Sequence, residues 1–205
     1  MRLYTAARAP NPRRVDMFLA EKGVRDIERV LVDLNAGEHK REGFLARSPL
    51  ARVPVLELGD GRFLAESRAI CSYLETLYPE PNLMGRDGEE RAFIEMADRQ
   101  IELYLFAGIA NCIRHSHPGL AALEQPQFPE YGATQGRKFR EVARWLDGHL
   151  ASRPYVAGER FTIADITAYC AIEFARLTKF QPGKEGMAHL QAWRDRIAQR
   201  SGASG

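Results

Sequence analysis

The residues best equipped for chemistry are Glu66 and Ser67, side by side where a helical spacing begins. A carboxylate at that place can hold an ammonium group. The hydroxyl and the free backbone N–H groups of a helix start suit a carboxylate. Just upstream, Val53-Pro54 offers another kind of contact. Proline lacks an N–H and forces its predecessor into an extended conformation, so Val53 can keep its own backbone groups for an outside partner. A peptide-pairing edge, a carboxylate and a hydroxyl together suit a small peptide with a free amino-acid end. A third point is Asn11-Pro12, read as N-cap and first helical position.

The elements that must position these groups follow from the hydrophobic pattern. Arg2 to Thr5 reads as a buried strand, and a helix from Asn11 carries Val15, Phe18 and Leu19 to a stop at Gly23. Ile27 to Leu34 alternates as a second strand, and Glu38 to Arg47 is a short, polar, helical piece. Val53 to Leu58, the turn Gly59-Asp60-Gly61 and Arg62 to Leu64 predict a hairpin, followed by a helix from Arg68 to Tyr78. This is a small α/β layer over residues 1–78.

Pro79 to Asn82 cannot continue a helix, and residues 79–88 read as a linker. Beyond it, residues 89–205 predict only helices: Glu89 to His117, Gln135 to Ser152, one opened by the capping box Thr162 to Asp165, and Met187 to Gln199. Gly119 to Ala133 reads as loop-like, with a short helix there as the alternative, and the closing Ser-Gly-Ala-Ser-Gly reads as loose.

Composition narrows the function. A 45% hydrophobic chain of 205 residues can bury a core, and a net charge of +2 without a basic run argues against nucleic-acid binding. No segment reads as a signal peptide or membrane span, so a cytoplasmic protein is expected. Cys71, Cys112 and Cys170 lie far apart in apolar helical contexts, as buried thiols do. His115 and His117 lack a third ligand, so no metal site is expected. Tyr104, Phe106, Ile109 and Cys112 recur at helical spacing, as core or as the lining of an apolar pocket.

The ordered set Asn11-Pro12-Arg13-Arg14-Val15, His39-Lys40, Arg52-Val53-Pro54-Val55-Leu56, Glu66-Ser67-Arg68-Ala69-Ile70 and Phe161-Thr162-Ile163-Ala164-Asp165 resembles the cytosolic glutathione transferases. Bacterial members with Asn in the first-helix motif are especially similar. The resemblance implies a thioredoxin-like glutathione-binding domain followed by an all-α domain that contributes a hydrophobic acceptor site. It also implies a homodimer and conjugation of the glutathione thiolate to a small hydrophobic electrophile. On this resemblance Val53, before a cis Pro54, pairs with the cysteinyl part of glutathione. Glu66 and Ser67 hold the γ-glutamyl head. His39, Lys40 and Arg52 face the glycine carboxylate as cations, and Asp98 reaches the γ-glutamyl ammonium of the second subunit.

The thiol is the chemical difficulty. A free cysteine ionises near pH ~8.5, and lowering that by about two units takes ~2.7 kcal/mol of preferential thiolate stabilisation. Alignment on the first-helix motif puts Ala9 where serine-type relatives carry Ser, and Tyr4 lies too early, inside the strand. Asn11 remains, either as a plain helix cap or as an amide donor to the thiolate. Some bacterial relatives active on disulfides or peroxides resemble this sequence in having Asn there. Glutathione-dependent reduction and a non-catalytic glutathione- or hydrophobe-binding module therefore stand as alternatives to conjugation.

Overall fold

The computed structural model describes residues 1–200 and 202; the closing Ser-Gly-Ala-Ser-Gly lies outside them apart from Gly202. The chain forms two compact units, one built from Met1–Asn82 and the other from Leu83–Arg200.

The first unit is a four-stranded mixed sheet with helices. Its strands are β1 (Arg2–Thr5), β2 (Glu28–Leu31), β3 (Val55–Glu57) and β4 (Phe63–Ala65). The spatial order is β2-β1-β3-β4, with β2 parallel to β1 and the other two pairings antiparallel. Tyr4 and Val55, paired in register, belong to a buried cluster with Val32 and Phe44. The pleat turns Leu3 and Leu56 to the opposite face, and both are fully buried. Helices α1 (Pro10–Glu21) and α3 (Ser67–Leu77) pack together, burying Val15, Phe18 and Leu19 of one and Ile70, Cys71 and Leu74 of the other. Helix α2 is a single turn, Glu42–Leu45, after a 3-10 turn at Glu38–Lys40.

The second strand is shorter than its alternation predicts. Asp33 ends it, because its carboxylate accepts the N–H groups of Asn35 and Ala36 and so competes with the ladder. Helix α1 begins one residue before Asn11, with Ala9 as N-cap and Pro10 at the first helical position. Asn11 is therefore not the cap.

The second unit is all-helical. Helices α4 (Gly88–Gln100) and α5 (Ala107–Ser116) run into one another through a π-helical segment, Ile101–Phe106. Helix α6 (Pro129–Leu150) starts six residues earlier than its apolar spacing predicts. Pro129 opens it, and Gly132 and Gly136 lie inside it because α5 crosses closely. An added Cβ at Gly132 would stand 3.2 Å from the His115 backbone, and one at Gly136 would stand 3.2 Å from Cys112 Sγ. Helix α7 (Ile163–Ala175) is buried all round from Ile163 to Ile172, and α8 (Ala188–Ala198) completes the unit.

Asp165 ties α7 to its surroundings. Its carboxylate accepts from Val156 N and Trp193 Nε1 through Oδ1 and from Thr162 N through Oδ2, at 2.9–3.0 Å, completing the expected capping box. Burial nevertheless pushes its pKa up to about 6. All three cysteines are buried and none forms a disulfide.

Candidate functional site

The pairing registers gather the chemically capable residues at one end of the sheet. Val55 pairs with Ala65, so continuing the antiparallel register sets Val53 beside Ser67. Tyr4 pairs with Val55, so the same continuation brings the end of β1, the loop that follows it and the start of α1 alongside Val53. Parallel pairing of Thr5 with Leu31 places the segment after β2, which carries His39 and Lys40, at this end too. Across the sheet the order is Glu66-Ser67, Val53, Asn11, His39-Lys40. Three inter-strand spacings cover on the order of 14 Å.

Val53 presents a free edge. The Val53–Pro54 bond is cis, β3 begins only at Val55, and among the described residues neither backbone group of Val53 makes a hydrogen bond. The approach to it is held by Ser48, which is buried. Ser48 Oγ accepts from Arg52 N at 3.0 Å and donates to Arg52 O at 2.9 Å. Read from the sequence, Ser48 marks only a Ser-Pro break. Its clamp on a residue four positions on is the kind of local side-chain bond that such a break can carry.

Glu66 and Ser67 differ in exposure. Glu66 is exposed and adopts φ 67°, ψ 111°, a conformation few side-chain-bearing residues take. Its neighbours leave it no choice: Ala65 is paired to Val55, and the Glu66 carbonyl accepts from Ile70 N at 2.9 Å. Ser67 is 4% exposed at the first position of α3. Arg14, 1% exposed and one helical turn into α1, donates from Nη1 to Ser67 Oγ at 2.9 Å. This accounts for a basic residue near the start of α1, where the macrodipole disfavours it. No local pattern links positions 14 and 67, so the contact was invisible to a reading along the chain.

The start of α1 is nearly stripped of competing donors. Pro10 and Pro12 have no N–H, and Arg13 N bonds back to Ala9 O at 3.1 Å. Asn11 is exposed, and neither its backbone N–H nor its amide is engaged by described residues. The positive end of the helix dipole thus converges on one residue with two kinds of N–H donor. Tyr4 does not compete: its hydroxyl donates to Glu57 Oε2 at 2.8 Å and its ring packs against Phe44.

His39 differs from its expected role as a cation. It is 7% exposed, and burial first, then Lys40 and Arg52, push its imidazole below the ordinary value. That shift favours the neutral form, and among the described residues its buried Nδ1 has no hydrogen-bond partner. Lys40 and Arg52 are exposed cations beside it.

Asp98 lies in the second unit, in surroundings of its own. Helix α4 turns it towards α7, where it is fully buried and accepts the Thr167 hydroxyl. Phe106, Ile109 and Cys112 are core, while Tyr104 is 61% exposed. His115 accepts from Phe128 N and His117 from Gly119 N through their Nδ1 atoms, as helix-end histidines do. Among the described residues no cluster of metal-ligating side chains occurs. A concavity of about 350 Å³ between the end of α6 and α8 is lined by none of the candidate site residues.

Comparison with known proteins gives a consistent result. The family model of the glutathione S-transferase N-terminal domain matches residues 9–77, and that of the C-terminal domain matches residues 111–201. Glutathione S-transferase 2 of Saccharomyces cerevisiae is 38% identical over 202 residues, covering 98% of this chain and 86% of the relative. Among solved structures, a glutathione S-transferase domain-containing protein of Marinobacter aquaeolei superposes with a TM-score of 0.94 at 39% identity, covering all of both chains. Gtt2 of S. cerevisiae superposes with a TM-score of 0.93 at 37% identity, covering 99% and 98%.

Proposed function

The chain belongs to the glutathione S-transferase family and carries that family's transferase function, and we propose that it conjugates the glutathione thiolate to a small hydrophobic electrophile. Residues 1–78 are the glutathione-binding domain, 79–88 the linker, and 89–205 the helical domain that contributes the acceptor site. The observation that carries this reading is the unpaired backbone of Val53, set by register between the Glu66-Ser67 pair and the start of α1. A tripeptide main chain spans roughly 10 Å, and its γ-linkage and end groups extend it to the width of the four strand ends.

In this arrangement Val53 and Pro54 receive the cysteinyl part. The Glu66 carboxylate takes the γ-glutamyl ammonium and Ser67 the γ-glutamyl carboxylate. His39, Lys40 and Arg52 take the glycine carboxylate, with His39 as a neutral N–H donor in the free protein. Asn11 donates to the sulfur and, with the dipole of α1, favours the thiolate. The bound thiolate attacks the electrophilic carbon and displaces a leaving group or adds across an activated bond, and proximity supplies most of the acceleration.

The protein acts as a cytoplasmic homodimer. Support comes from exposed apolar side chains in each unit: Leu50 in the first, and Phe93, Met96 and Leu103 along α4 and the π-helical segment of the second.

Reduction of disulfides or peroxides is the second reading. Ala9 brings no hydroxyl to the sulfur, and Asn11 brings an amide that can donate to it. Assays with an aromatic halide, a small mixed disulfide and cumene hydroperoxide separate the two. Turnover of the halide is expected to dominate. Glutathione binding with all three assays silent would leave a binding module.

A further inference from the structure

Arg14 is a buried guanidinium bonded to a candidate site residue. It lies in α1, is 1% exposed, and directs Nη1 at Ser67 Oγ, 2.9 Å away on α3. A serine hydroxyl has one proton to donate and two lone pairs to receive with. The guanidinium cannot deprotonate and always donates, so Ser67 Oγ is fixed as its acceptor. No group among the described residues takes the Ser67 proton, although the residue is only 4% exposed. The hydroxyl is therefore polarised from behind by a buried charge and has its donor left for an incoming oxygen.

We propose that Arg14 is a positioning residue that makes Ser67 a dedicated donor to a carboxylate, and so selects ligands carrying a free α-carboxylate at the amino-terminal head. This rests on the glutathione reading above and adds to it the residue that enforces head-group specificity. A neutral head group offers the Ser67 proton a weaker acceptor than a carboxylate does.

The test is calorimetry with two probes, glutathione and 4-aminobutyryl-Cys-Gly, which keeps the ammonium and lacks only the α-carboxylate. Wild-type protein is expected to bind the second probe about 10- to 100-fold more weakly. R14M is expected to lose about that factor for glutathione and to bind 4-aminobutyryl-Cys-Gly as the wild type does. R14K, which keeps the charge without the fixed fork, should lose an intermediate factor for glutathione alone, and it provides the comparison if R14M does not fold. Equal weakening towards both probes, or unchanged glutathione affinity in both variants, would overturn the Arg14 assignment while sparing the glutathione site. Absence of glutathione binding by the wild type would overturn both.

Discussion

Glu66 should cost the fold stability that only its side chain repays. At φ 67°, ψ 111° it is a Cβ-bearing residue held in a sparsely populated conformation, a strain of about 1–3 kcal/mol. Replacement by glycine removes the strain but adds about 0.5–1 kcal/mol of chain entropy to the unfolded state. The difference predicts that E66G is more stable than E66A by about 1 kcal/mol. With a urea dependence of about 1–3 kcal/mol per molar, the unfolding midpoint moves up by roughly 0.3–1 M. Both variants lack the carboxylate, so both should bind glutathione about 10-fold more weakly, the loss of one charge-assisted hydrogen bond at an exposed position. E66Q keeps the strain and loses the charge, so its stability should stay at the wild-type value. Urea unfolding followed by circular dichroism, with calorimetry on the same samples, reads both effects. Equal midpoints for E66G and E66A would refute the strain. Undiminished glutathione affinity in all three variants would refute the role of the carboxylate.

N11A should raise the apparent pKa of bound glutathione by about one unit, as loss of a single bond to a charged acceptor requires. Ultraviolet thiolate absorbance against pH reads it, and an unshifted curve would remove Asn11 from the chemistry. His39 is held below its ordinary pKa in the free protein, and a bound carboxylate pulls it back up. Glutathione binding near pH 6 should therefore take up protons at His39, and this contribution to affinity should fall as pH rises. Calorimetry in buffers of different ionisation heat should find less uptake in H39Q; equal uptake would place the carboxylate elsewhere. Asp165, raised to about 6 from 3.8, holds a proton that the unfolded chain releases. Its contribution to stability is fully present below the unfolded value and is lost as pH rises through about 6, a change of about 3 kcal/mol. Wild type and D165N should thus show urea stabilities that diverge between pH 4 and 7, and parallel profiles would contradict the buried titration.

Much of the architecture could be read from local chemistry. The hairpin around Gly59 to Gly61, the capping box at Thr162 and the long helical pattern after Glu89 all rest on short-range preferences, and each element appears where those preferences put it. Errors arose where tertiary packing changes the meaning of a residue. Gly132 looks like a loop residue until α5 is laid against it. The prolines on either side of Asn11 blurred the start of α1, because Pro10 rather than Pro12 occupies its first position. The candidate site was legible only in part. Val53, Glu66 and Ser67 announce themselves by type and spacing. The Arg14 contact and the Ser48 clamp depend on which residues the fold brings together, and burial decides that His39 favours the neutral form and that Asp98 faces inward.

The structure of the protein with glutathione bound tests the central claim most directly. The tripeptide should lie across the strand ends, with main-chain bonds to Val53, its head at Glu66 and Ser67 and its sulfur within hydrogen-bond distance of Asn11. A sulfur directed away from the start of α1, or a tripeptide seated elsewhere with Val53 still unpaired, would contradict the account.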